Sequence, residues 1–173
     1  MVTTLWLVRH GVTAWNLEGR LLGWADPPLV PEGRRQAEAA RARLGALLPE
    51  GGQVWSSDLV RAVETARIVA GEPTTDRRLR ELDFGDLEGS TWSELTEPVR
   101  SALLAFDGFA APGGETAAAL AARVSTFVDD MGPGDHVVVT QGGVIRSLAR
   151  RLGRPDPYVE PGGIVRLQPN LPP

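Results

Sequence analysis

Short apolar runs alternate with longer amphipathic segments along the chain. Strands are predicted at four of the runs, Thr4–Arg9, Gln53–Ser56, His136–Thr140 and Gly163–Leu167, and the first and third of these are predicted to be buried. Helices are predicted over Glu32–Leu48, from Asp58 onward, over Thr91–Phe106 with a break near Pro98, over Thr116–Met131, and from Gly142 to about Leu152. This alternation predicts a mainly parallel α/β sheet with helices on both faces, a three-layer α/β/α sandwich.

The segment after Asp58 has a clear helical pattern. Asp58 can cap this helix, and its inner stripe is predicted to be Leu59, Ala62, Val63, Ala66 and Val69. The tail Pro169–Pro173 is predicted to be loose. With no internal repeat and no long linker, residues 1–173 are expected to form a single domain.

Composition narrows the functional classes. The net charge of −4 argues against a surface that wraps nucleic acid. No apolar run has the roughly 18 residues of a membrane span, and the N-terminus does not resemble a signal peptide, so a cytoplasmic protein without membrane partners is expected. A homodimer is the oligomer to expect if one forms, because isologous dimers are the commonest.

All 18 basic residues are arginine, and the chain has no cysteine. Lysine Schiff bases, the P-loop lysine, thiol nucleophiles and thiolate metal sites are therefore excluded. Arginine-only usage is most simply a genome bias, but the guanidinium fork also binds phosphate in two-pronged fashion. The two histidines are far apart in the sequence, so no metal and no cofactor is expected.

Polar residues follow three of the predicted strands. Because ligands bind at the carboxyl ends of parallel strands, Arg9-His10-Gly11, Ser56-Ser57-Asp58 and Thr140-Gln141-Gly142-Gly143 are predicted to surround one site. Imidazole forms covalent intermediates, and Arg9 offers a fork for a phosphoryl group. For an isolated Arg-His-Gly, a histidine that merely satisfies its hydrogen bonds would be the simpler interpretation.

Three blocks of the sequence form a recognisable set. They are Arg9-His10-Gly11-Val-Thr13-Ala-Trp-Asn16 continued by Gly23-Trp24-Ala-Asp26, then Ser56-Ser57-Asp58-Leu59-Val-Arg61-Ala62, then Leu79-Arg80-Glu81-Leu-Asp-Phe84-Gly85 with Glu88-Gly89. Together these blocks resemble the histidine phosphatase and phosphoglycerate mutase superfamily. They occur in the family's order and, with the later Gly-Gly turn, cover nearly the whole chain.

The resemblance implies a role for each matching position. His10 corresponds to the nucleophile that forms a phosphohistidine, and Arg9 and Arg61 to the arginines that hold the phosphoryl oxygens. Glu81 corresponds to the general acid. The remaining phosphate-binding positions that the resemblance implies are Gly11, Asn16, Gly23, Gln141 and Gly142. Such a site suits phosphoryl transfer, which needs charge neutralisation and alignment.

Simpler interpretations exist for several of these residues. Arg61 could form a surface pair with Glu64 on its helix, and Glu81 could belong to a solvated acidic loop. Thr13 and Trp15 are expected to pack rather than to react. Trp24 could line a substrate pocket or cap the core.

Gln141 departs from the family pattern, in which a second histidine precedes the Gly-Gly pair. Glutamine can donate a hydrogen bond but cannot carry the histidine's charge, and losing one such electrostatic element typically lowers turnover by about 10²–10³-fold. His136 cannot substitute, because five strand residues place it about 16 Å away. It is expected to be a strand-edge residue without a catalytic role.

Phosphatase, mutase and non-catalytic binding are the functions that the pattern leaves open. Only 25 residues separate Gly89 from Glu115 and only six follow Leu167, which leaves little chain for the lid that a mutase needs. A phosphomonoester hydrolase acting on a small phosphorylated metabolite is therefore favoured. The alternatives are a cofactor-dependent phosphoglycerate mutase and an impaired phosphoester-binding protein. In its compact size and its Pro112-Gly-Gly turn, the chain resembles the small bacterial phosphatases, including alpha-ribazole phosphatases.

Overall fold

The computed structural model describes residues 3–46 and 52–169 and contains a five-stranded sheet. Its strands are β1 (Thr3–Arg9), β2 (Gln53–Ser56), β3 (Thr74–Thr75), β4 (Gly134–Thr140) and β5 (Ile164–Leu167). Their order across the sheet is β3-β2-β4-β1-β5. Four of these strands were predicted within a few residues, whereas the two-residue β3 has no apolar run to reveal it.

The sheet is parallel except at one edge. In the central pair β1 and β4, Arg9 lies opposite Thr140, and across β4 and β2, Val139 lies opposite Ser56. Strand β3 continues this parallel order, and β5 runs antiparallel to β1. The carboxyl ends of β1, β2 and β4 therefore meet at one edge, which confirms the predicted mainly parallel α/β sheet.

Six α-helices connect the described strands: α1 (Ala14–Leu17), α2 (Pro31–Gly45), α3 (Val60–Val69), α4 (Glu97–Ala105), α5 (Ala117–Asp129) and α6 (Gly142–Arg151). Pro31 starts α2 because its fixed φ suits the first helical turn. The predicted end of this helix, Leu47-Leu48, lies outside the described residues, as do residues 170–173 of the predicted loose tail. The predicted helix Thr91–Phe106 is shorter than expected, since Pro98 lies in the first turn of α4 instead of breaking it.

Alternate residues of the strands point to opposite faces of the sheet, and each face has its own core. On one face Leu5, Leu7 and Val138 pack with residues of α5 and α6. On the other face Trp6, Val8, Val137 and Val139 pack with residues of α2 and α3. Small residues of α2 and α3 line that second core: Ala37, Ala40, Ala62 and Ala66. Three layers result, as predicted.

Asp58 does not cap α3, contrary to prediction. Its carboxylate accepts two hydrogen bonds of 2.7 Å from the Arg80 guanidinium. The exposed first amide of the helix, at Val60, instead donates to Asp26 Oδ2 at 2.7 Å. An acceptor 34 residues away along the chain thus takes the place of the local cap. Val63 of the predicted inner stripe is only partly buried, whereas the other four members are buried.

His136 is not a strand-edge residue. It is 2% exposed, lies opposite Leu5 and Gln53 on the central strand β4, and accepts the Trp55 indole hydrogen at Nδ1 over 3.2 Å. Its Nε2 lies 2.9 Å from the carbonyl oxygen of Gly132. Its hydrogen bonds are therefore those of a core residue.

Within residues 3–46 and 52–169, no helix is long and apolar enough to cross a bilayer. Over the same ranges, no three His, Cys, Asp or Glu side chains are grouped as metal ligands.

Candidate active site

His10 lies at the carboxyl end of β1 and is 3% exposed. Its backbone N–H donates to the Thr140 carbonyl at 3.0 Å, which ties it to the end of β4. Its Nδ1 lies 2.7 Å from the Gly11 carbonyl oxygen. Because a carbonyl only accepts, Nδ1 carries the hydrogen and the lone pair is on Nε2. Burial, then the positive charges of Arg61 and Arg9, hold the pKa of His10 well below its ordinary value, so its imidazole is neutral.

The loop that follows His10 approaches helix α2 without intervening side chains. A Cβ on Gly11 would lie 2.2 Å from the Gly33 carbonyl oxygen, and one on Gly33 would lie 2.3 Å from the Val12 carbonyl oxygen. The Gly11 amide donates to Thr65 Oγ1 at 3.1 Å. Two glycines are therefore needed for this contact, which fixes the backbone beside the imidazole.

Arg61 is completely buried on the first turn of α3. The interpretation that it forms a surface ion pair with Glu64 is therefore wrong. Its Nη2 donates to the Gly23 carbonyl at 2.7 Å, and its Nη1 donates to the Ala25 carbonyl at 2.8 Å and to Asp26 Oδ1 at 3.4 Å. Burial lowers the pKa of Arg61, and the carboxylates of Asp26, Glu81 and Glu88 oppose this effect. The guanidinium thus also holds the loop that precedes α2.

Gln141 is fully buried at the N-terminal cap position of α6, and its side chain does not cap that helix. Its Oε1 accepts the Arg61 Nε hydrogen at 3.2 Å, and its Nε2 donates to Ser57 Oγ at 3.0 Å. Gln141 therefore joins the ends of β4 and β2 to the buried guanidinium. Sequence reasoning identified Gln141 as a departure from the family but did not find these two partners.

Glu81 is held by backbone amides on both sides. Its Oε1 accepts from the Leu82 amide at 2.8 Å, and its Oε2 accepts from the Gly143 amide at 3.0 Å in the first turn of α6. A Cβ on Gly143 would lie 2.2 Å from Glu81 Oε1, so only glycine leaves room for this carboxyl group. Glu81 is therefore fixed against the first turn of α6. The interpretation that Glu81 belongs to a solvated acidic loop is wrong.

Arg123 of α5 positions the segment that carries Glu81, and no local sequence signal pointed to it. Its guanidinium donates to the carbonyls of Arg78 and Arg80 at 2.7 Å and to that of Glu81 at 2.8 Å. Its charge is paired with Glu115, eight residues before it, at 2.7 Å. A cation on a distant helix thus fixes the backbone of the carboxylate residue.

Trp24 neither caps the core nor is fully exposed. It is 37% exposed, its indole N–H donates to the Glu81 carbonyl at 2.9 Å, and the Arg80 guanidinium lies 5.0 Å from its ring centre. The amides of Trp24 and Ala25 donate to the Glu88 carboxylate. This tryptophan therefore contacts the backbone of Glu81.

Arg9 ends β1 next to the first turn of α6. Its Nη1 donates to the Val159 carbonyl at 2.7 Å, and its buried Nε has no partner in the described part of the chain. A Cβ on Gly142 would be 3.6 Å from the guanidinium carbon, an ordinary contact. Arg9, Glu81 and Gly142 line one pocket. The predicted convergence of strand ends therefore brings Arg9, His10, Arg61, Glu81, Gln141 and Gly142 together.

Two predicted phosphate-binding residues have other contacts. Gly23 presents its carbonyl to Arg61, and a Cβ there would lie 2.2 Å from a Glu88 carboxylate oxygen. Asn16 Oδ1 accepts from the Thr13 amide at 3.0 Å and the Asn16 amide donates to Thr13 Oγ1 at 3.4 Å, which closes a capping box on α1. Its contacts within the described residues are thus in its own turn. Thr13 is buried in this turn, and Trp15 packs against Gly89, as expected of packing residues.

Comparison with known families agrees with this geometry. Residues 5–158 match the family model of the histidine phosphatase superfamily (branch 1). The chain belongs to the histidine phosphatase superfamily. The predicted class of enzyme and the predicted phosphoglycerate mutase-like fold are thereby confirmed.

Named relatives in this superfamily include both phosphatases and mutases. The chain is 40% identical to phosphoglycerate mutase-like protein 4 of Arabidopsis thaliana over 84% of its own length and 69% of that protein. It is 36% identical to the metal-independent phosphoserine phosphatase of the same plant, over 87% of the chain and 69% of the relative. The crystal structure of phosphoglycerate mutase from Thermus thermophilus is 44% identical with a TM-score of 0.86, covering 95% of this chain and 92% of that one.

Proposed function

We propose that this protein hydrolyses phosphomonoesters of small metabolites through a phosphohistidine on His10. The observation that carries the proposal is the neutral imidazole whose Nδ1 donates to the Gly11 carbonyl. This bond leaves the Nε2 lone pair for attack, and Nε2 makes no hydrogen bond to the described part of the chain. A protonated imidazole would have no such lone pair.

The proposed reaction has two steps. In the first, His10 Nε2 attacks phosphorus, the bond from phosphorus to the substrate oxygen breaks, and Glu81 gives its proton to the leaving alcohol. In the second, water attacks the phosphohistidine, Glu81 takes a proton from that water, and the bond from phosphorus to nitrogen breaks. Inorganic phosphate leaves, and His10 and Glu81 return to their starting states. Each Glu81 oxygen accepts only one backbone amide, so a lone pair remains on each for this proton.

Two arginines are proposed to bind the phosphoryl oxygens. The buried Arg9 Nε is without a partner in the described chain, and Arg61 retains one Nη2 hydrogen beyond its bond to Gly23. Transferred phosphoryl groups need such charge neutralisation, because charge spreads over three oxygens in the transition state. Gln141 is proposed to hold Arg61 in place and to supply no charge of its own.

A phosphate-release assay tests the proposal. We expect the purified protein to hydrolyse 4-nitrophenyl phosphate and His10→Asn to lose at least about 10³-fold in turnover. The phosphorylated protein, quenched in base, is expected to show an acid-labile phosphorus signal in ³¹P NMR. If neither the natural protein nor Gln141→His shows hydrolysis that depends on His10, the proposal is wrong.

Phosphoglycerate mutase activity is a second candidate, because several relatives carry that name. A mutase would need priming by a bisphosphorylated glycerate and would interconvert phosphoglycerates without net release of phosphate. Incubation with a phosphoglycerate, with and without this primer, separates the two activities, because formation of the isomeric phosphoglycerate indicates a mutase and release of inorganic phosphate indicates a phosphatase.

A further inference from the structure

A pocket of about 350 Å³ opens beside the proposed phosphoryl site. Arg9, Glu81 and Gly142 form its inner wall, where the proposed reaction takes place. A volume of this size falls within the range of small-molecule sites and accommodates a single ring. The leaving group of a bound phosphomonoester would therefore lie in this pocket.

The outer wall of the pocket is mainly apolar. It is formed by Leu21, Phe84, Leu103, Phe106, Tyr158 and Val159. Phe106 is buried and Phe84 is partly buried, and their neighbours extend into the core of the α5–α6 face. Tyr158 is 79% exposed and stands at the mouth. Such a lining favours an apolar alcohol over a hydrated one.

Arg146 is the cation of this outer wall, and each of its three nitrogens already donates one hydrogen bond within the protein. Its Nε donates to Asp156 at 2.8 Å, its Nη1 to the Leu103 carbonyl at 3.1 Å and its Nη2 to the Leu104 carbonyl at 2.5 Å. Its guanidinium carbon lies 4.7 Å from the Phe106 ring centre. The charge is thus neutralised and the group is fixed as part of the wall. A carboxylate on the substrate would meet there a cation whose charge is already paired with Asp156, and a charge without its own counterion in an apolar pocket is costly.

Resting on the proposed function, we infer that the substrate is a phosphomonoester of an uncharged, ring-sized apolar alcohol and that the pocket rejects substrates with a carboxylate on the leaving group. Phosphoserine and phosphoglycerate, which occur in the names of relatives, both carry that carboxylate. This chain therefore uses the shared phosphoryl chemistry on a different class of alcohol.

Two substrates that differ by one carboxylate test the inference. Benzyl phosphate and 4-carboxybenzyl phosphate have similar leaving groups, so their kcat/KM ratio reports the pocket rather than bond strength. We expect a ratio of at least about ten in favour of benzyl phosphate. A ratio near one, or one that favours the carboxylate, overturns the inference.

Substitution at the mouth localises the effect. Tyr158→Arg adds a free cation at an exposed position, and we expect it to lower the ratio by at least about threefold. Trp92→Arg is the matched control, because Trp92 is an exposed aromatic outside this lining, and its ratio should equal that of the natural protein. An unchanged ratio in Tyr158→Arg overturns the inference, since discrimination would then arise elsewhere.

Binding measurements separate this inference from the proposed function. Benzylphosphonate and 4-carboxybenzylphosphonate cannot be hydrolysed, and their dissociation constants are measured by calorimetry. We expect benzylphosphonate to bind at least about tenfold more tightly. Preferential binding without any phosphate release would contradict the proposed hydrolase while supporting the apolar pocket. Failure of both phosphonates to bind overturns the inference.

Discussion

The side-chain oxygen of Gln141 accepts the Nε hydrogen of Arg61 at 3.2 Å. Both residues are fully buried, so neither group can turn to water for an alternative partner. A protonated histidine at this position could not accept that hydrogen, because both of its ring nitrogens would be donors. Glutamine therefore supports the buried guanidinium in a way that does not change with pH.

Substitutions of Gln141 should separate support of Arg61 from the charge of the site. Gln141→Leu removes the acceptor and is expected to lower the free energy of unfolding by about 1–3 kcal/mol. Gln141→Glu keeps an acceptor but adds a negative charge beside the phosphoryl group, so kcat/KM should fall by about 10²-fold with a smaller loss of stability. Urea denaturation and phosphate release measure the two effects. A stability loss greater for Gln141→Glu than for Gln141→Leu would contradict this account.

Arg61→Lys should damage both stability and activity although the charge is conserved. The guanidinium bonds Gly23, Ala25, Asp26 and Gln141 at once, and an ammonium group cannot reproduce that planar set. We expect a loss of about 2 kcal/mol or more in unfolding free energy and of about 10²-fold in kcat/KM.

Arg67→Lys on the same helix is the matched control for Arg61→Lys. Arg67 is exposed and pairs with Glu72 at 2.8 Å, so this change should alter stability by less than about 0.5 kcal/mol. Equal effects of the two substitutions would show that the buried hydrogen bonds of Arg61 are unimportant.

Adjacent glycines in α6 provide a test of the placement of Glu81. An added methyl group in Gly143→Ala would meet Glu81 Oε1 at 2.2 Å and displace it, so kcat should fall by about 10²-fold or more. Alanine favours the helix over glycine by about 1 kcal/mol, so thermal stability should not fall in parallel. In Gly142→Ala the nearest atom is at 3.6 Å, and we expect a loss of kcat at least about tenfold smaller. Similar losses of kcat in both variants would argue against Glu81 as the displaced group.

His10 should remain neutral through the physiological pH range. Burial, followed by the charges of Arg61 and Arg9, lowers its pKa well below the ordinary value of about 6.5. In ¹⁵N NMR we expect the signals of a neutral ring with hydrogen on Nδ1 from about pH 8 to below about 6.5. His10→Asn assigns these signals. A titration of His10 centred at about pH 6.5 or above would contradict the prediction.

The same depressed pKa makes His10 a source of acid sensitivity. Below about pH 6.5 the unfolded chain binds a proton at this histidine and the folded chain does not, so unfolding becomes easier as pH falls toward the folded pKa. We expect His10→Asn to lose less of its unfolding free energy than the natural protein between about pH 6.5 and that lower pKa. Denaturant midpoints measured at several pH values in this window provide the check.

Much of the sheet was predictable because its central strands are continuous apolar runs. The run Val137–Val139 is buried on both faces, and its position before a Gly-Gly turn identified the site edge. Strand β3 was not predictable, since it has only two residues, Thr74 and Thr75, and both are exposed. The spacing of apolar residues along the sequence thus reveals the strands that build the core but not short edge strands.

The chemical groups of the site were predictable, but their supports were not. His10, Arg61 and Glu81 lie in motifs that can be read locally. Asp26 caps α3 across 34 residues, and Arg123 holds the Glu81 carbonyl across 42. Contacts of this kind depend on how loops pack in three dimensions, and no spacing along the chain encodes them.

The glycine contact between the His10 loop and α2 has a consequence for mutational scanning. Any side chain at Gly11 or Gly33 would meet backbone atoms at 2.2–2.3 Å, and backbone cannot move aside as a flexible side chain can. We therefore expect every replacement at either position to abolish phosphate release, as replacement of His10 does. Phosphate release could be restored in the glycine variants only by a compensating change in the alanine-lined core that moves helix α2 outward. Loss of function at these two glycines reports the distance between a loop and a helix, whereas loss at His10 reports chemistry.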